Sequence, residues 1–354
     1  MERCLELAKR GAGAVAPNPM VGAVLVHHDR IIGEGWHKKF GEAHAEVNCI
    51  ASVKEEDRAF IAQSVLYVSL EPCSHFGKTP PCTDLIIRNK IPTVVIGCRD
   101  PFKEVDGKGI EKLKAAGIDV VTGVLEQQCK ELNKRFFLFH TQQRPYIILK
   151  WAQTADGKMA HPTPARGDLL PQPQRLLISN EYSNRLVHKW RSEEAALLVG
   201  TNTALLDDPE LTTRLWPGNS PVRLVIDLNL RLPVSLKLFN GAVKTIVFNT
   251  IKKEEKQNLI YYKLEDGKQL LPQLLTAQYE LNIQSVLVEG GATLLQSFIA
   301  EGTWDEARII TNEKLSITNG LDAPVLLNAH KTEEQQLLSD KIEIYKPGKL
   351  PAAD

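Results

Sequence analysis

The sequence predicts an α/β protein of two domains, and three observations predict it. Apolar, β-branched stretches alternate with segments of helical spacing, the pattern of strands and helices layered on one another. The chain has 354 residues, of which 43% are hydrophobic, enough for two ordinary domains with buried cores. The alternation also stops once, at the polar stretch "TQQRP", and starts again with a strand. We therefore place one domain at residues 1–143 and a second at 144–350.

The first domain opens with "MERCLELAKRGAG", an amphipathic helix in which Leu5, Leu7 and Ala8 are interrupted by charges. It starts almost at Met1, without a capping side chain. Apolar Val21 to Val26, a polar turn at His28–Arg30 and Ile31 to Trp36 read as a β-hairpin. Residues 44–53, "HAEVNCIASV", have helical spacing. "SVLYVSLEPC" is a strand, "CTDLIIRN" a helix and "PTVVIGCRD" a buried strand. "GIEKLKAAGIDVVTGVL" is a helix, a glycine stop and a strand, and one long helix is expected over 126–141.

The second domain restarts with the strand at 145–152. The segment 161–175 holds four prolines and no apolar period, so it reads as a loop long enough to be functional. A helix at 181–191 follows, then strands at 195–200, 222–227, 245–249, 285–289 and 306–311. Residues 346–354, "KPGKLPAAD", read as a frayed tail.

Composition narrows the function. Lys plus Arg and Asp plus Glu each total 43, so the net charge is zero, which argues against a nucleic-acid or anionic-membrane partner. No apolar run approaches the roughly 20 residues that span a bilayer, and the N-terminus lacks the apolar centre and cleavage site of a signal peptide. We read the chain as cytoplasmic, with its six cysteines reduced.

Two of those cysteines stand apart. Cys73 and Cys82 bracket eight residues in "EPCSHFGKTPPC", one at a strand end and the other at a helix start. Upstream, His44 and Glu46 open a helix as "HAE". Zinc takes tetrahedral nitrogen and sulfur ligands, and a catalytic zinc keeps one position for water. His44, Cys73 and Cys82 would supply three ligands where strand ends and helix starts meet. Glu46, two residues from His44, can sit beside the metal and relay a proton from water to a leaving amine. An H-x-E followed by P-C-x-x-C marks the zinc nucleobase deaminases. Here order and proline are kept, but the cysteine gap is longer. A structural zinc with His75 as fourth ligand is the alternative, and a deaminase acting on nucleic acid is another. Cys4, Cys49, Cys98 and Cys129 lack such company and read as packing residues.

Together "NPMVGAVLV", "GEGWH", "HAEVNCI", "EPCSHFGKTPPC" and "DPFKEVDGKGIEKLKAAGI" resemble the bifunctional deaminase/reductase of bacterial riboflavin biosynthesis. The resemblance implies a cytidine-deaminase-like α/β/α domain followed by a dihydrofolate-reductase-like α/β domain. It implies one zinc on His44, Cys73 and Cys82, proton transfer by Glu46, and substrate contacts from Asn18, His75 and Lys78. The expected substrate is a small phosphorylated pyrimidine, for whose phosphate Lys78 is a suitable point charge. The expected assembly is a homo-oligomer.

In the second half, "SVLVEGGATLLQSFIAEG" is a strand, a Gly-Gly turn and a helix, and its amides could approach a phosphate. It is not the dinucleotide fingerprint G-x-G-x-x-G. "KWAQTADGK" and "VGTNTALLDDPELTTR" add two more strand ends with polar loops, which together suggest one cleft. These segments resemble the reductase domain of the same family, which uses NADPH. The resemblance puts Ala152, Thr203, Asp207, Gly291, Ala292, Thr293, Leu294, Leu295, Gln296 and Ser297 beside the cofactor. It turns Leu211, Arg214 and Glu289 toward the substrate and gives Lys150 and Glu289 a part in hydride delivery. Many relatives carry G-E-S-x-W-I-T after the first strand of this domain. This chain has the proline-rich loop and "LLISN" instead, with Arg175 at the serine position and Leu177 at the tryptophan position.

Overall fold

The computed structural model describes residues 1–76, 80–162 and 176–348. The chain divides into two compact units, Met1–Arg144 and Pro145–Asp354.

The first unit is built on a five-stranded sheet. Its strands are β1 (Gly22–His27), β2 (Arg30–Trp36), β3 (Val65–Leu70), β4 (Thr93–Cys98) and β5 (Asp119–Thr122), in the order β2-β1-β3-β4-β5. β1 runs antiparallel to both β2 and β3, while β3, β4 and β5 are parallel. The C-terminal ends of β2, β3 and β4 therefore open on one edge, and the start of β1 joins them there.

The helices are α1 (Glu2–Lys9), α2 (Ala45–Ala51), α3 (Cys82–Arg88), α4 (Lys108–Ala115), α5 (Glu126–Leu132) and α6 (Lys134–Gln142). α2 lies close on β2 because Gly35 leaves room: a Cβ there would meet the Cys49 amide nitrogen at 2.2 Å. The apolar core joins Leu25, Leu66, Val68 and Ile96 of the sheet to Ile86 and Leu113 of the helices. Cys4, Cys49, Cys98 and Cys129 are all buried in packing positions.

The single helix expected over 126–141 is two. Asn133 separates α5 from α6 with φ −107° and ψ 25°. Its buried side chain accepts the Met20 N–H at 2.8 Å and donates to the Met20 carbonyl at 2.9 Å. A distant segment thus takes the polar groups of a residue whose short amide side chain competes well with helix.

The second unit is a ten-stranded sheet with helices α7 (Glu181–Glu193), α8 (Thr201–Asp207), α9 (Leu270–Glu280) and α10 (Ala292–Ala300). Its central parallel strands are β6 (Tyr146–Thr154), β8 (Ala196–Gly200), β9 (Val222–Ile226), β10 (Thr245–Asn249), β12 (Leu259–Lys263), β13 (Ser285–Val288) and β14 (Glu306–Asn312). β11 (Glu254–Lys256), β16 (Ala329–Leu337) and β17 (Asp340–Pro347) pair antiparallel at the two edges, giving the order β11-β12-β10-β9-β8-β13-β6-β14-β17-β16. A short pair, β7 (Lys158–Ala160) with β15 (Leu321–Asp322), lies apart. The core gathers Ile147, Leu149 and Trp151 of β6 with Val286, Val288, Leu295 and Phe298. The tail expected to fray from residue 346 instead carries β17 through Pro347. Residues 163–175 of the proline-rich loop, Arg175 among them, and residues 349–354 lie outside the described residues.

Candidate functional site

The first site forms where β2, β3 and β4 end. His44 is the residue just before α2, Cys73 follows β3, and Cys82 opens α3. His44 Nδ1 lies 3.6 Å from Cys73 Sγ and 3.4 Å from Cys82 Sγ. Tetrahedral zinc, with bonds of about 2.0–2.1 Å to nitrogen and 2.3 Å to sulfur, puts those atoms roughly 3.5 Å apart. Among the described residues these three alone form such a group. Geometry and donor chemistry both fit zinc, and three protein ligands leave a position for a further one.

Local hydrogen bonds explain how an eight-residue gap can join two ligands. The Cys82 amide donates to Cys73 Sγ at 3.3 Å. The Thr83 amide and hydroxyl both donate to the Cys73 carbonyl, each at 3.2 Å. The loop therefore leaves and returns through one clamp. The Cys82 thiol hydrogen-bonds Cys73 and, with help from His44, holds it as a thiolate at about 4. His44 is in turn drawn toward its protonated form by Cys73.

Glu46 is buried in the first turn of α2. Burial, and then the Cys73 charge, push its carboxyl above the ordinary range. Glu71 of the same motif has a different job. Its carboxylate accepts the N–H groups of Asp100 (3.2 Å), Gly107 (3.0 Å), Gly109 (2.9 Å) and Ile110 (3.2 Å), tying the end of β3 to the loop before α4.

Asn18 is linked to this centre through His37, and Lys78 lies outside the described residues. Asn18 Nδ2 donates to His37 Nε2 at 3.1 Å, because His37 Nδ1 is spent on the Ala43 carbonyl at 3.0 Å. The buried His37 ring packs 5.4 Å from that of His44. His75 does not join the metal group. Its ring faces Phe102 and Glu104, and its buried Nδ1 has no hydrogen-bond partner. His37 and Phe102 were not foreseen as site residues; "GEGWH" offered the only signal for the first.

The second site lies along the ends of β6, β8 and β13. Lys150 and Ala152 sit in the C-terminal half of β6. Glu289 follows β13, and its amide donates to the Leu198 carbonyl of β8 at 3.0 Å. Arg191 of α7 grips Glu289 with both arms, at 2.8 and 2.6 Å, where the side chains are 13% and 8% exposed. Burial alone would raise the Glu289 pKa, but the Arg191 charge and hydrogen bonds outweigh it and hold the carboxyl at about 2. Arg191 also donates to the Thr212 carbonyl at 3.3 Å. It was not foreseen, since nothing in "HKWRSE" separates it from a surface helix cation.

The Gly-Gly turn brings two helix starts together. A Cβ on Gly290 would meet Gly200 N and Val199 Cα at 2.9 Å, so the strand ends can touch only with glycine there. The Gly291 amide donates to Thr203 Oγ1 at 2.8 Å. Ala292, Thr293 and Leu294 form the first turn of α10, beside Gly291. Four residues expected beside the cofactor or the substrate are engaged within the protein itself. Leu295 is fully buried in the core. Gln296 Oε1 is engaged by the Val325 amide at 3.1 Å, and Ser297 Oγ donates back to the Thr293 carbonyl at 2.9 Å. Leu211, expected to face the substrate, is 2% exposed with φ +50°, so its side chain packs inward. Arg214 is exposed near Glu210, at 3.5 Å, Asp207 is exposed at the end of α8, and Leu177 is 76% exposed.

Comparison with known proteins agrees with both halves. Residues 1–98 match the cytidine and deoxycytidylate deaminase zinc-binding region, and residues 145–315 match the RibD C-terminal domain. The riboflavin biosynthesis protein RibD of Aquifex aeolicus is 42% identical over 323 residues, covering 89% of this chain and 86% of that protein. A crystal structure of the diaminohydroxyphosphoribosylaminopyrimidine deaminase/5-amino-6-(5-phosphoribosylamino)uracil reductase of Thermotoga maritima superposes with a TM-score of 0.83 at 37% identity, covering 98% and 97% of the two chains. RibD of Acinetobacter baumannii superposes with a TM-score of 0.86 at 31% identity, covering 98% and 97%. No helix among the described residues is long and apolar enough to cross a membrane. With a zinc-type ligand group in a deaminase fold, a reductase domain behind it and relatives matched along nearly their whole length, the chain belongs to the RibD family of bifunctional deaminase/reductases of riboflavin biosynthesis.

Proposed function

We propose that the first unit removes ammonia from a diamino-ribosylamino-pyrimidinone phosphate at the His44, Cys73 and Cys82 centre, with Glu46 moving the proton. The single observation that carries this is the spacing of one imidazole nitrogen from two sulfurs, 3.6 and 3.4 Å, beside a buried carboxyl. Zinc, when bound, lowers the pKa of a water ligand toward about 7. Glu46 takes a proton from the attacking water and hands it to the departing amine, so one water enters and one ammonia leaves. Burial raises its pKa, which makes it a stronger proton acceptor than an exposed carboxylate. Asn18, oriented by His37, presents its amide to the ring, and the unpartnered His75 Nδ1 is suited to a further polar contact. Lys78 is proposed for the phosphate.

In the second unit the ribosyl group is reduced to ribityl. NADPH supplies the hydride. The amides around Gly291, with Thr203 and the first turn of α10, are suited to its phosphates, and Ala152 and Asp207 are proposed to border it. Lys150 is the proposed proton donor near the reacting carbon. Glu289, held anionic by Arg191, is suited to orient substrate hydroxyls and cannot donate a proton near neutral pH. Arg214, exposed at the rim, is suited to the substrate phosphate. We read the chain as a cytoplasmic homo-oligomer, for which its six unpaired cysteines support the reducing compartment.

The test is to incubate the full chain with the pyrimidine phosphate and NADPH and follow ammonia and NADPH oxidation separately. Ammonia should appear with or without NADPH. Chelation should stop both signals, and supplying deaminated substrate should restore the oxidation alone. Oxidation without prior ammonia release would contradict the order.

A further inference from the structure

We infer that His188 is a positioning residue of the reductase: its imidazole fixes the backbone from which Arg214 reaches the substrate phosphate. The inference rests on the reading of Arg214 given above. His188 and Arg191 are three residues apart on α7 and so share one face of the helix. Arg191 holds the strap after α8 at the Thr212 carbonyl, 3.3 Å away. His188 holds it two residues later, where Nδ1 accepts the Arg214 N–H at 3.1 Å. Between them the Thr213 N–H is taken by Ser220 Oγ at 3.2 Å. The same strap carries Leu211 at φ +50°, a conformation that a branched side chain adopts only where its surroundings impose it.

The charge state fits this work. An Nδ1 that accepts leaves the ring neutral, with its proton on Nε2. His188 is 4% exposed. Burial, then the charges of Arg191, Arg214 and Lys150, outweigh the opposing Glu289 and hold its pKa at about 4. The acceptor therefore persists at neutral pH with two guanidinium groups nearby. A residue that merely filled space there would need no such nitrogen. The Arg214 side chain, in contrast, is exposed, with a long 3.5 Å contact to Glu210 as its one ion pair among the described residues. Its main chain is fixed while its guanidinium extends outward.

The experiment compares His188→Leu, His188→Asn and Arg214→Ala in the full chain, using deaminated substrate with and without its phosphate. Losing one hydrogen bond that orders a binding group should cost roughly tenfold in affinity. His188→Leu should therefore raise KM for the phosphorylated substrate about tenfold, with a smaller change in kcat and in KM for NADPH. His188→Asn, whose Oδ1 can stand in for Nδ1, should restore most of it. The penalty should vanish on the dephosphorylated substrate. An unshifted KM in His188→Leu beside a raised one in Arg214→Ala sinks this inference alone. An unshifted KM in Arg214→Ala sinks the phosphate reading and this inference with it. An Asn variant as impaired as Leu also overturns it. Should the Leu variant not fold, imidazole nitrogen NMR of the native chain, assigned with the Asn variant, decides: a proton on Nδ1 refutes the inference.

Discussion

Both units put their chemistry where parallel strands end, yet they hold it by different means. The first centre is compact, with Cys82 buried and His44 and Cys73 half-buried. Three ligand atoms, one imidazole nitrogen and two sulfurs, lie within 4.8 Å of one another, and a buried carboxyl stands two residues from the first. Its supports are short: a thiol next to a thiolate, and a loop clamped to its own return. The second is spread over β6, β8, β13, α7 and the strap after α8, and its central carboxylate is neutralised by an arginine of this chain. A metal can gather ligands because each bond is strong and directional. A hydride transfer needs two flat groups held in register, and the fold supplies that with strand ends, amides and ion pairs. The lesson is that the first unit should fail abruptly and the second by degrees.

The largest expected effect comes from Cys82→Ala. Losing one of three ligands should remove zinc and lower ammonia release by more than about a thousandfold, while NADPH oxidation on deaminated substrate continues. Metal analysis and the two assays check it, and retained zinc would break the comparison. Next is Glu289→Gln, which leaves Arg191 buried without its counter-charge. That should cost about 3–5 kcal/mol in stability and lower the reductase kcat about a hundredfold, with ammonia release intact. The pair also has a pH signature. Glu289 titrates at about 2 when folded, against 4.5 ordinarily, so its stabilisation is full above 4.5 and drains away as pH falls toward 2. Melting of the second unit followed from pH 6 down to pH 3 should show this loss, and Glu289→Gln should flatten it. A smaller effect is expected from Gly35→Ala, whose added methyl meets the Cys49 amide nitrogen at 2.2 Å and must push α2 from β2. It should cost about 1–3 kcal/mol and weaken zinc binding through His44. The smallest is Asn133→Ala, which leaves the Met20 amide and carbonyl without a partner. It should cost about 1–2 kcal/mol and raise the deaminase KM several-fold, because Met20 adjoins the segment carrying Asn18.

Legibility follows the same divide. The ligand set could be read because each ligand sits in a short motif at a strand or helix end, and the chemistry of zinc restricts the residue types. Glu46 was legible for the same reason. Arg191 and His188 were not, because they act from the middle of a helix whose spacing looks like any half-exposed one. Leu211 and Leu295 are buried, which was not legible because family position says which segment lines a cleft, not which way each side chain turns. On the fold side, most of the core strands were plain, while β12 went unread and β16 was hidden. "AHKTEEQQL" has no apolar alternation, since nearly all of it is exposed at an edge. α9 was missed because of Pro272, which its first turn tolerates. The break at Asn133 is set by a partner 113 residues away, which no local pattern carries.

The measurement closest to the central claim uses Glu46→Gln in the full chain. Zinc content, ammonia release, and NADPH oxidation with deaminated substrate are read on one preparation. The account predicts about one zinc per chain, ammonia release down roughly 100- to 10,000-fold, and oxidation at the native rate. Ammonia release within a few-fold of native would contradict the proton-relay role of Glu46, and a parallel fall in oxidation would contradict the separation of the two sites.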